Sequence, residues 1–517
     1  MPPSEIIKKL LTSRGFTTQK SISEFLNPRH PDGIKWPDLN ILSTDIQKVK
    51  NIIQKHIQNN HIIAIYGDYD VDGLCSTAIL WQTIYQNYKL VFPHIPDRRI
   101  EGYGLSIAGI DHCISQGAKL IITVDSGIVA YDQIAYAKKQ GLDVVVIDHH
   151  EKSDVLPPAD AFIHSIVTCA AGLSYFLARE INEKVENLDL VCLAVVCDLV
   201  PLTGLNRSLA KFGLETLNHT VRPGLLALYE IAGIKNISAY HVGFIIGPRL
   251  NATGRLTHAM DSLRLLCTTN PNRATDLAKT LNDINIRRQQ LTETQTQHAL
   301  SQITPNSLIV VADKSYDEGV IGLIAAKLVE KYFRPAIVIS VGETVSKASA
   351  RSISGFHITE YLRKFETLFS SVGGHAMAAG FSFPSSKLSE VITQLAKSEV
   401  PKELLIKKDR FDLELPLEYV SWDLYLGISD MQPFGLGNST PVFLAKDIQI
   451  MDPKIIGKSG THLKFIAFQN GISFPCVWFN PPILKLPTSA NYYYQIDSDT
   501  YRGPGNLQLI TKNISGL

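Results

Sequence analysis

Three short apolar runs in the first third of the chain restrict its fold more than any other feature. Residues 61–67, 120–125 and 144–148 are rich in Ile and Val, and segments with helical spacing, such as 72–88 and 131–140, separate them. This alternation predicts a parallel sheet covered by helices, and so an α/β fold. Because ligands of such sheets bind beyond the carboxyl ends of the strands, the side chains that follow the three runs should meet in one crevice.

Carboxylates crowd the end of the first run. Asp68, Asp70 and Asp72 alternate within residues 67–73, and three carboxylates this close repel one another unless a cation neutralises them. The alternative is a solvated acidic turn, or a helix N-cap made by Asp72. The segment alone does not decide between a metal site and such a turn.

The ends of the other two runs carry the same kinds of group. Asp125 ends the second run, and Asp148, His149 and His150 follow the third. A lone His is usually a structural residue, but two adjacent His after an apolar strand and an Asp favour a site. These residues are therefore candidate ligands.

A further carboxylate lies in an apolar stretch. Asp198 stands within residues 193–202, where an unpaired carboxylate would be costly to desolvate. Metal coordination or an Arg partner would remove that cost, and a buried Asp that caps a local turn is the alternative.

Together these residues form a donor set rich in oxygen, with imidazole and without thiolate. Such a set suits manganese or magnesium better than structural zinc. The seven cysteines are odd in number, scattered and never in a close pair, which also argues against zinc and for a reducing cytosol. Two cations ~3.5–4 Å apart can activate water and stabilise an in-line phosphoryl displacement, so the sequence predicts phosphodiester hydrolysis.

Beyond the first sheet, the chain predicts three more parts. Residues 272–303 are polar with Leu or Ile at helical spacing, which indicates a long connecting helix. Strands at 308–312 and 336–340 around a helix at 320–331 indicate a second, smaller α/β domain. After Asp409, short strands between Gly, Pro and Asn turns predict a small β-barrel, and these strands are residues 448–451, 462–468, 492–496 and 508–510.

Charge and hydropathy exclude some classes of protein. The 517 residues carry 50 basic and 49 acidic side chains, so a nucleic-acid surface must be a local patch and not a global field. The longest apolar candidate, residues 188–202, is interrupted by Asp189 and Asp198 and falls short of the ~18 residues of a membrane span. The first 16 residues show no signal-peptide pattern, so we expect a cytoplasmic protein without a membrane segment.

These segments resemble the successive motifs of the DHH phosphoesterase superfamily, whose name describes Asp-His-His at residues 148–150. Residues 96–98 with 101–105, and 247–252 with 254–255, resemble one family in it, the RecJ-type exonucleases for single-stranded DNA. Residues 318–322, 349–352 and 373–375 resemble the DHH-associated domain, and 432–438 resemble the start of an OB-type domain. The resemblance spans about residues 62–443.

The resemblance implies an architecture and a set of site residues. It implies an N-terminal segment, a parallel-sheet DHH domain, a connecting helix, a smaller α/β DHH-associated domain and an OB-like β-barrel, at residues 1–45, 46–270, 271–305, 306–405 and 406–517. The implied metal ligands are Asp68, Asp70, Asp125, His149, His150 and Asp198, and the implied catalytic residues are Asp68, Asp70, Asp72, His149 and His150. The implied DNA contacts are Arg98, Arg249, Asn251, Arg255, Ser349, Arg351, Gly373, Gly374 and His375.

For the DNA contacts, chemistry agrees with the resemblance. Arg offers a planar fork to phosphate oxygens, and Gly373-Gly374 lets a ligand approach the backbone, although surface ion pairs and a plain turn are the alternatives. The activity implied is 5′ to 3′ degradation of single-stranded DNA in repair and recombination, with two manganese or magnesium ions. A monomer is expected, with a single-strand-binding protein or a helicase as partners.

Two departures from the family pattern bear on substrate binding. Tyr316-Asp317 stands where Trp-His is common, so a carboxylate replaces a donor; it either repels DNA phosphate or caps the helix that begins near Val320. The stretch at 151–170 is also shorter than the family pattern leads us to expect, which bears on the wall of the DNA channel beside His150.

Two other functions stay open from the sequence. One is a DHH phosphodiesterase for short oligonucleotides or nucleotides, against which the OB-like tail argues. The other is a single-strand-binding protein with a decayed site, against which the complete ligand set argues.

Overall fold

The computed structural model describes residues 1–303, 306–397, 400–457, 460–499, 503 and 505–515. Its strands form three sheets that follow one another along the chain. The first is parallel throughout, in the order β2-β1-β3-β4-β5. Its strands are β1 (Ile62–Tyr66), β2 (Val91–His94), β3 (Ala118–Val124), β4 (Asp143–Asp148) and β5 (Ala161–His164).

The helices alternate with these strands and then continue as a helical region. Up to the connecting helix they are α1 (Pro3–Ser13), α2 (Gln19–Leu26), α3 (Ser43–Gln58), α4 (Val71–Asn87), α5 (Ile107–Ser115), α6 (Tyr131–Lys139), α7 (Ala170–Ile181), α8 (Leu188–Cys197), α9 (Gly204–Asn218), α10 (Pro223–Ala232), α11 (Ala239–His241), α12 (Gly247–Leu256), α13 (Met260–Cys267) and α14 (Pro271–Gln302). The remaining helices are α15 (Ile321–Tyr332), α16 (Ile358–Arg363), α17 (Leu388–Ala396) and α18 (Trp422–Ser429).

Both faces of the first sheet are buried, as expected for parallel strands. One face packs with α3, α4, α7 and α8 in a large apolar core, and the other packs with α5 and α6 in a smaller one. The three predicted strands are confirmed within two residues at each end. The two outer strands, β2 and β5, are additional, and each is only four residues long.

The connecting helix is also confirmed, as the 32-residue α14. The second sheet follows it, in the order β6-β7-β8-β10-β9, with β6 and β7 parallel and the rest antiparallel. Its strands are β6 (Ile309–Asp313), β7 (Ala336–Ser340), β8 (Val345–Arg351), β9 (Ser371–His375) and β10 (Ala378–Pro384).

The last sheet is the predicted β-barrel. Strands β12 to β16 close on themselves through antiparallel pairing of β12 with β15, and β11 adds to β12 at the edge. The strands are β11 (Leu413–Glu414), β12 (Phe443–Ile456), β13 (His462–Gln469), β14 (Ile472–Phe479), β15 (Ser489–Ser498) and β16 (Leu507–Ser515). The α/β class with a C-terminal barrel is therefore confirmed, whereas the domain boundaries given above stay predictions.

Helices α1 and α2 pack into the core of the barrel and not against the first sheet, which follows them in the chain. Ile6, Leu10, Leu11 and Phe25 are buried together with the apolar side chains of α18 and the barrel. The sequence pattern of residues 1–45 did not predict this packing. Within the described part of the chain, no helix is both long and apolar enough to cross a bilayer.

Candidate metal centre and adjoining cationic crevice

The carboxyl edge of the first sheet gathers the predicted ligands. Three overlapping groups have ligand atoms within 4.8 Å of one another, and they are Asp68 with Asp70 and Asp125, Asp125 with His149 and His150, and Asp72 with His149 and Asp198. All six residues predicted as metal ligands, together with Asp72, thus occur in one continuous cluster. The shared members Asp125 and His149 join the groups.

The turn after β1 places the first carboxylates. Asp70 is the N-cap of α4, because its Oδ1 accepts hydrogen bonds from the backbone N–H groups of Asp72 (3.0 Å) and Gly73 (3.1 Å). The turn is tight, since a Cβ on Gly73 would lie 2.6 Å from the backbone N of Asp68. Asp68 is 1% exposed, and its Oδ1 has no hydrogen-bond partner among the described residues.

Asp72 does not cap α4, so that alternative from the sequence is wrong. Its two carboxylate oxygens accept hydrogen bonds from the backbone N–H groups of Ala170 (2.7 Å) and Ala171 (2.8 Å), at the start of α7. Its Oδ2 lies 3.6 Å from His149 Nε2. Asp72 therefore joins two helices at the site, whatever its part in metal binding.

The imidazoles face these carboxylates. His149 Nε2 lies 3.2 Å from Asp125 Oδ1 and 3.7 Å from Asp198 Oδ2. Asp125 has a left-handed backbone, with φ of +62°, which turns the chain sharply at the end of β3. Asp198 is the C-cap residue of α8, with a partly exposed side chain.

Asp148 orients His150 and is not in any of the three groups. Its Oδ1 lies 2.7 Å from His150 Nδ1 and also accepts a hydrogen bond from the His149 backbone N–H, and its Oδ2 accepts one from Ile128 N. A carboxylate on Nδ1 leaves Nε2 as the nitrogen that could bind a metal. The first residue of the Asp-His-His motif thus acts through the third.

Electrostatics show that the cluster favours a cation. Burial, then the charge of Asp70, raises the pKa of Asp68 well above its ordinary value. Burial and neighbouring carboxylates likewise raise the pKa of Asp125 strongly and that of Asp198 to about 8. A bound cation would remove this repulsion, which is the physical reason to assign a metal here.

A second zone of the opposite charge adjoins the cluster, between the first two sheets. Arg98, Arg255, Ser349 and Arg351 line one cavity of about 310 Å³ there. Burial, and the positive charges of Arg98, Arg288 and Arg351, lower the pKa of Arg255 to about 10. Burial and Arg98 also lower the pKa of Arg351. Crowded cations of this kind favour an anion.

The other predicted DNA contacts lie elsewhere. Arg249 donates to Ile245 O (2.7 Å) and to Asn282 Oδ1 (3.2 Å), and it does not line this cavity. Asn251 lines a neighbouring cavity that shares Arg255, and its buried Oδ1 has no partner among the described residues. Gly373, Gly374 and His375 are exposed on the edge strand β9, outside the residues that line the cationic cavity.

Tyr103 was not singled out from the sequence, although it lies in the motif at 101–105. Its hydroxyl is 3.0 Å from His150 Nε2 and 3.3 Å from Asp125 O. Tyr103 lines the cationic cavity as well, so it touches both zones. The signal that could have found it is that motif, which places a Tyr between two glycines.

Asp317 caps its own turn. Its Oδ1 accepts a hydrogen bond from Gly319 N (2.8 Å), its backbone O accepts from Val320 N and Ile321 N, and its Oδ2 lies 4.0 Å from Arg99 Nη2. The structure therefore places it in the turn before α15, with a cation of the first domain beside it.

The fold and this site define the class: an α/β protein with two sheets, with Asp and His side chains clustered at the strand ends of the first sheet, and with a β-barrel appended. Profiles of three protein families match the corresponding segments. They are the DHH family, N-terminal domain (residues 62–195), the DHHA1 domain (305–400) and the RecJ OB domain (411–513).

Individual proteins match along most of the chain. The chain is 33% identical to the single-stranded-DNA-specific exonuclease RecJ of Bacillus subtilis over 92% of its length, but it spans only 63% of that relative. It is 28% identical to RecJ of Haemophilus influenzae, over 99% of this chain and 100% of that one.

Solved structures agree. The crystal structure of RecJ with Mn²⁺ from Thermus thermophilus matches with a TM-score of 0.82 and 25% identity, over 100% of this chain and 78% of that one. An exonuclease RecJ bound to manganese matches with a TM-score of 0.60 and 30% identity, over 71% of this chain and 95% of that one. This chain belongs to the RecJ family of the DHH superfamily.

Proposed function

We propose that this chain is a metal-dependent exonuclease that hydrolyses the phosphodiester bonds of single-stranded DNA from the 5′ end, in DNA repair and recombination. The observation that carries the proposal is the pair of adjoining zones, one of crowded carboxylates with imidazoles and one of crowded guanidinium groups. The metal ions would bind the carboxylates and imidazoles, and the negatively charged phosphodiester would bind the guanidinium groups.

The residues present fit two manganese or magnesium ions. Asp68, Asp70, Asp125, His149, His150 and Asp198 are the proposed ligands, all oxygen or imidazole donors. The Oδ1 of Asp68 is buried and has no hydrogen-bond partner among the residues that the structure describes, and a bound cation would satisfy it. When bound, two such ions would supply an activated water and neutralise charge that develops on the phosphate.

The protein's own groups would position the substrate and the ligands. Asp148 fixes the ring of His150, and Asp72 holds the start of α7 against the site. The phosphate oxygens at the end of the DNA strand would bind to Arg98, Arg255 and Arg351 and to the Ser349 hydroxyl. Arg249, Asn251, Gly373, Gly374 and His375 are proposed to bind the strand further along or after domain movement.

Polarity, partners and location are further parts of the proposal. Action from the 5′ end is supported by family membership. A monomer that works with a single-strand-binding protein or a helicase, in the cytoplasm, stays a prediction from the sequence.

The test is digestion of single-stranded oligonucleotides labelled at either end, with Mn²⁺, Mg²⁺, Zn²⁺ or excess chelator. We expect mononucleotide release from the 5′ end with Mn²⁺ or Mg²⁺, and little with Zn²⁺. Equal activity in chelator would contradict the metal site. Release from the 3′ end would contradict the polarity.

A further inference from the structure

The loop between β2 and α5 carries three side chains that face the crevice. The Arg98 guanidinium lies 5.1 Å from the ring centre of Tyr69, Arg99 Nη2 donates to Leu256 O (3.0 Å), and Tyr103 contacts His150. One loop thus contacts the metal centre, the cationic cavity and the end of α12. The position of this loop therefore determines where Arg98 and Tyr103 lie relative to the metal centre and the cationic cavity.

The largely buried carboxylate of Glu101 holds this loop from its other side. The Glu101 side chain is 11% exposed, and it does not line the cationic cavity. Its Oε2 accepts hydrogen bonds from the hydroxyls of Tyr66 (3.1 Å) and Ser106 (3.0 Å) and lies 3.2 Å from His94 Nε2. Its Oε1 accepts one from the backbone N–H of Asp97 (2.9 Å).

The four donors come from the parts that frame the loop. Tyr66 ends β1, His94 ends β2, and Asp97 and Ser106 lie near the two ends of the loop itself. Only an ionised carboxylate offers acceptors at both oxygens, whereas Gln would present an NH₂ group to one set of these donors. A Cβ on Gly109 would lie 2.5 Å from Glu101 Oε2, so α5 packs closely against the carboxylate and a larger residue at this position would displace it.

We propose that Glu101 is a positioning residue for the exonuclease reaction: it fixes the 95–106 loop so that Arg98 and Tyr103 face the substrate, without touching substrate itself. The inference rests on the proposed function. It differs from a stability role because its effect should pass through Arg98 and appear in the kinetics of a folded enzyme.

The experiment uses the full chain with Mn²⁺ and compares Glu101→Ala, Glu101→Gln, Arg98→Ala and the double variant Arg98→Ala/Glu101→Ala. Glu180→Ala is the matched control, because Glu180 also accepts two side-chain hydrogen bonds, from Trp36 and Lys50, but lies near the other end of α7. The readouts are kcat and KM on a single-stranded oligonucleotide well below the melting temperature, and hydrogen exchange of the backbone amides.

We expect kcat/KM to fall about ten- to a hundred-fold in Glu101→Ala, as for a misplacement of ~1 Å, with Glu101→Gln intermediate and the control unchanged. The double variant should lose less than the product of the two single losses. Amide exchange should quicken more in residues 97–106 than in β1 and α4.

Wild-type kinetics in Glu101→Ala, multiplicative losses in the double variant, or amide exchange that quickens no more in residues 97–106 than in the rest of the first sheet would each overturn the inference. If the wild-type protein releases no nucleotides, the proposed function fails instead. The local exchange measurement still decides whether Glu101 holds the loop.

Discussion

Asp70 has two roles that one substitution can separate. Its Oδ1 caps α4, and its charge helps to raise the pKa of Asp68. Asp70→Asn keeps an oxygen for the cap but removes the charge that a metal ion needs. We expect metal-dependent cleavage to fall at least about a hundred-fold, with the metal-free melting temperature unchanged or higher because repulsion with Asp68 is lost.

The control for Asp70→Asn is Asp276→Asn on the exposed side of α14, which should cleave as the wild type does. His149→Ala should also abolish cleavage and leave the fold intact. Turnover near that of the wild type in either Asp70→Asn or His149→Ala would refute the ligand assignment.

A substitution of Asp317 distinguishes the two hypotheses for this residue, which are repulsion of DNA phosphate and capping of the helix that begins near Val320. Because its carboxylate accepts the Gly319 N–H in the turn before α15, Asp317→His should cost about 1 kcal/mol of stability, as loss of one hydrogen bond does. We expect a lower melting temperature and an unchanged KM for DNA. A lower KM, most marked at low salt, would instead support repulsion of phosphate by Asp317.

At the scale of elements, the hydrophobic periodicity of the strands and the residues that follow them were enough to predict which side chains gather at the edge of the first sheet. The runs before Asp68, Asp125 and Asp148 are continuously apolar because both faces of their strands are buried, so their ends could be predicted. The four-residue edge strands β2 and β5 carry too few positions for a period. The roles of Asp70 and Asp72 could not be separated, because which N–H groups a carboxylate meets depends on the docking of α7.

The loop held by Glu101 gives a prediction on pH. Burial acts to raise the pKa of Glu101, but hydrogen bonds from His94, Asp97 and Ser106 prevail and lower it from 4.5 to about 2. A depressed carboxyl pKa contributes stability that is present above the unfolded value and is lost as pH falls through the folded one. The difference corresponds to on the order of 3 kcal/mol.

We therefore expect the free energy of unfolding of Glu101→Gln to depend less on pH between 5 and 2 than that of the wild type. Denaturant unfolding in chelator at several pH values measures this. Parallel curves for the two proteins would show that Glu101 does not carry this stability.

At the scale of the whole molecule, one buried cation joins three modules. Arg207, on α9 in the helical region after the first sheet, is 1% exposed and donates to the carbonyl oxygens of Phe25, Met431 and Gln432. Phe25 lies in the last turn of α2, and Met431 and Gln432 follow α18, so one guanidinium satisfies carbonyls near the ends of two helices. Periodicity could not predict this, since the nearest of these partners in sequence is 182 positions away.

Arg207→Met tests whether this joint holds the N-terminal helices and the barrel on the DHH domain. Met fills similar space but leaves buried carbonyls without donors, which should cost on the order of 3 kcal/mol or more. Burial lowers the pKa of Arg207 to about 10. The guanidinium fork reaches three carbonyl oxygens, whereas the single ammonium group of a Lys could not reach all of them, so Arg207→Lys should recover only part of the lost stability. Calorimetry should show the barrel unfolding at a lower temperature than the DHH domain in Arg207→Met, whereas one unshifted transition would mean that apolar packing alone joins the modules.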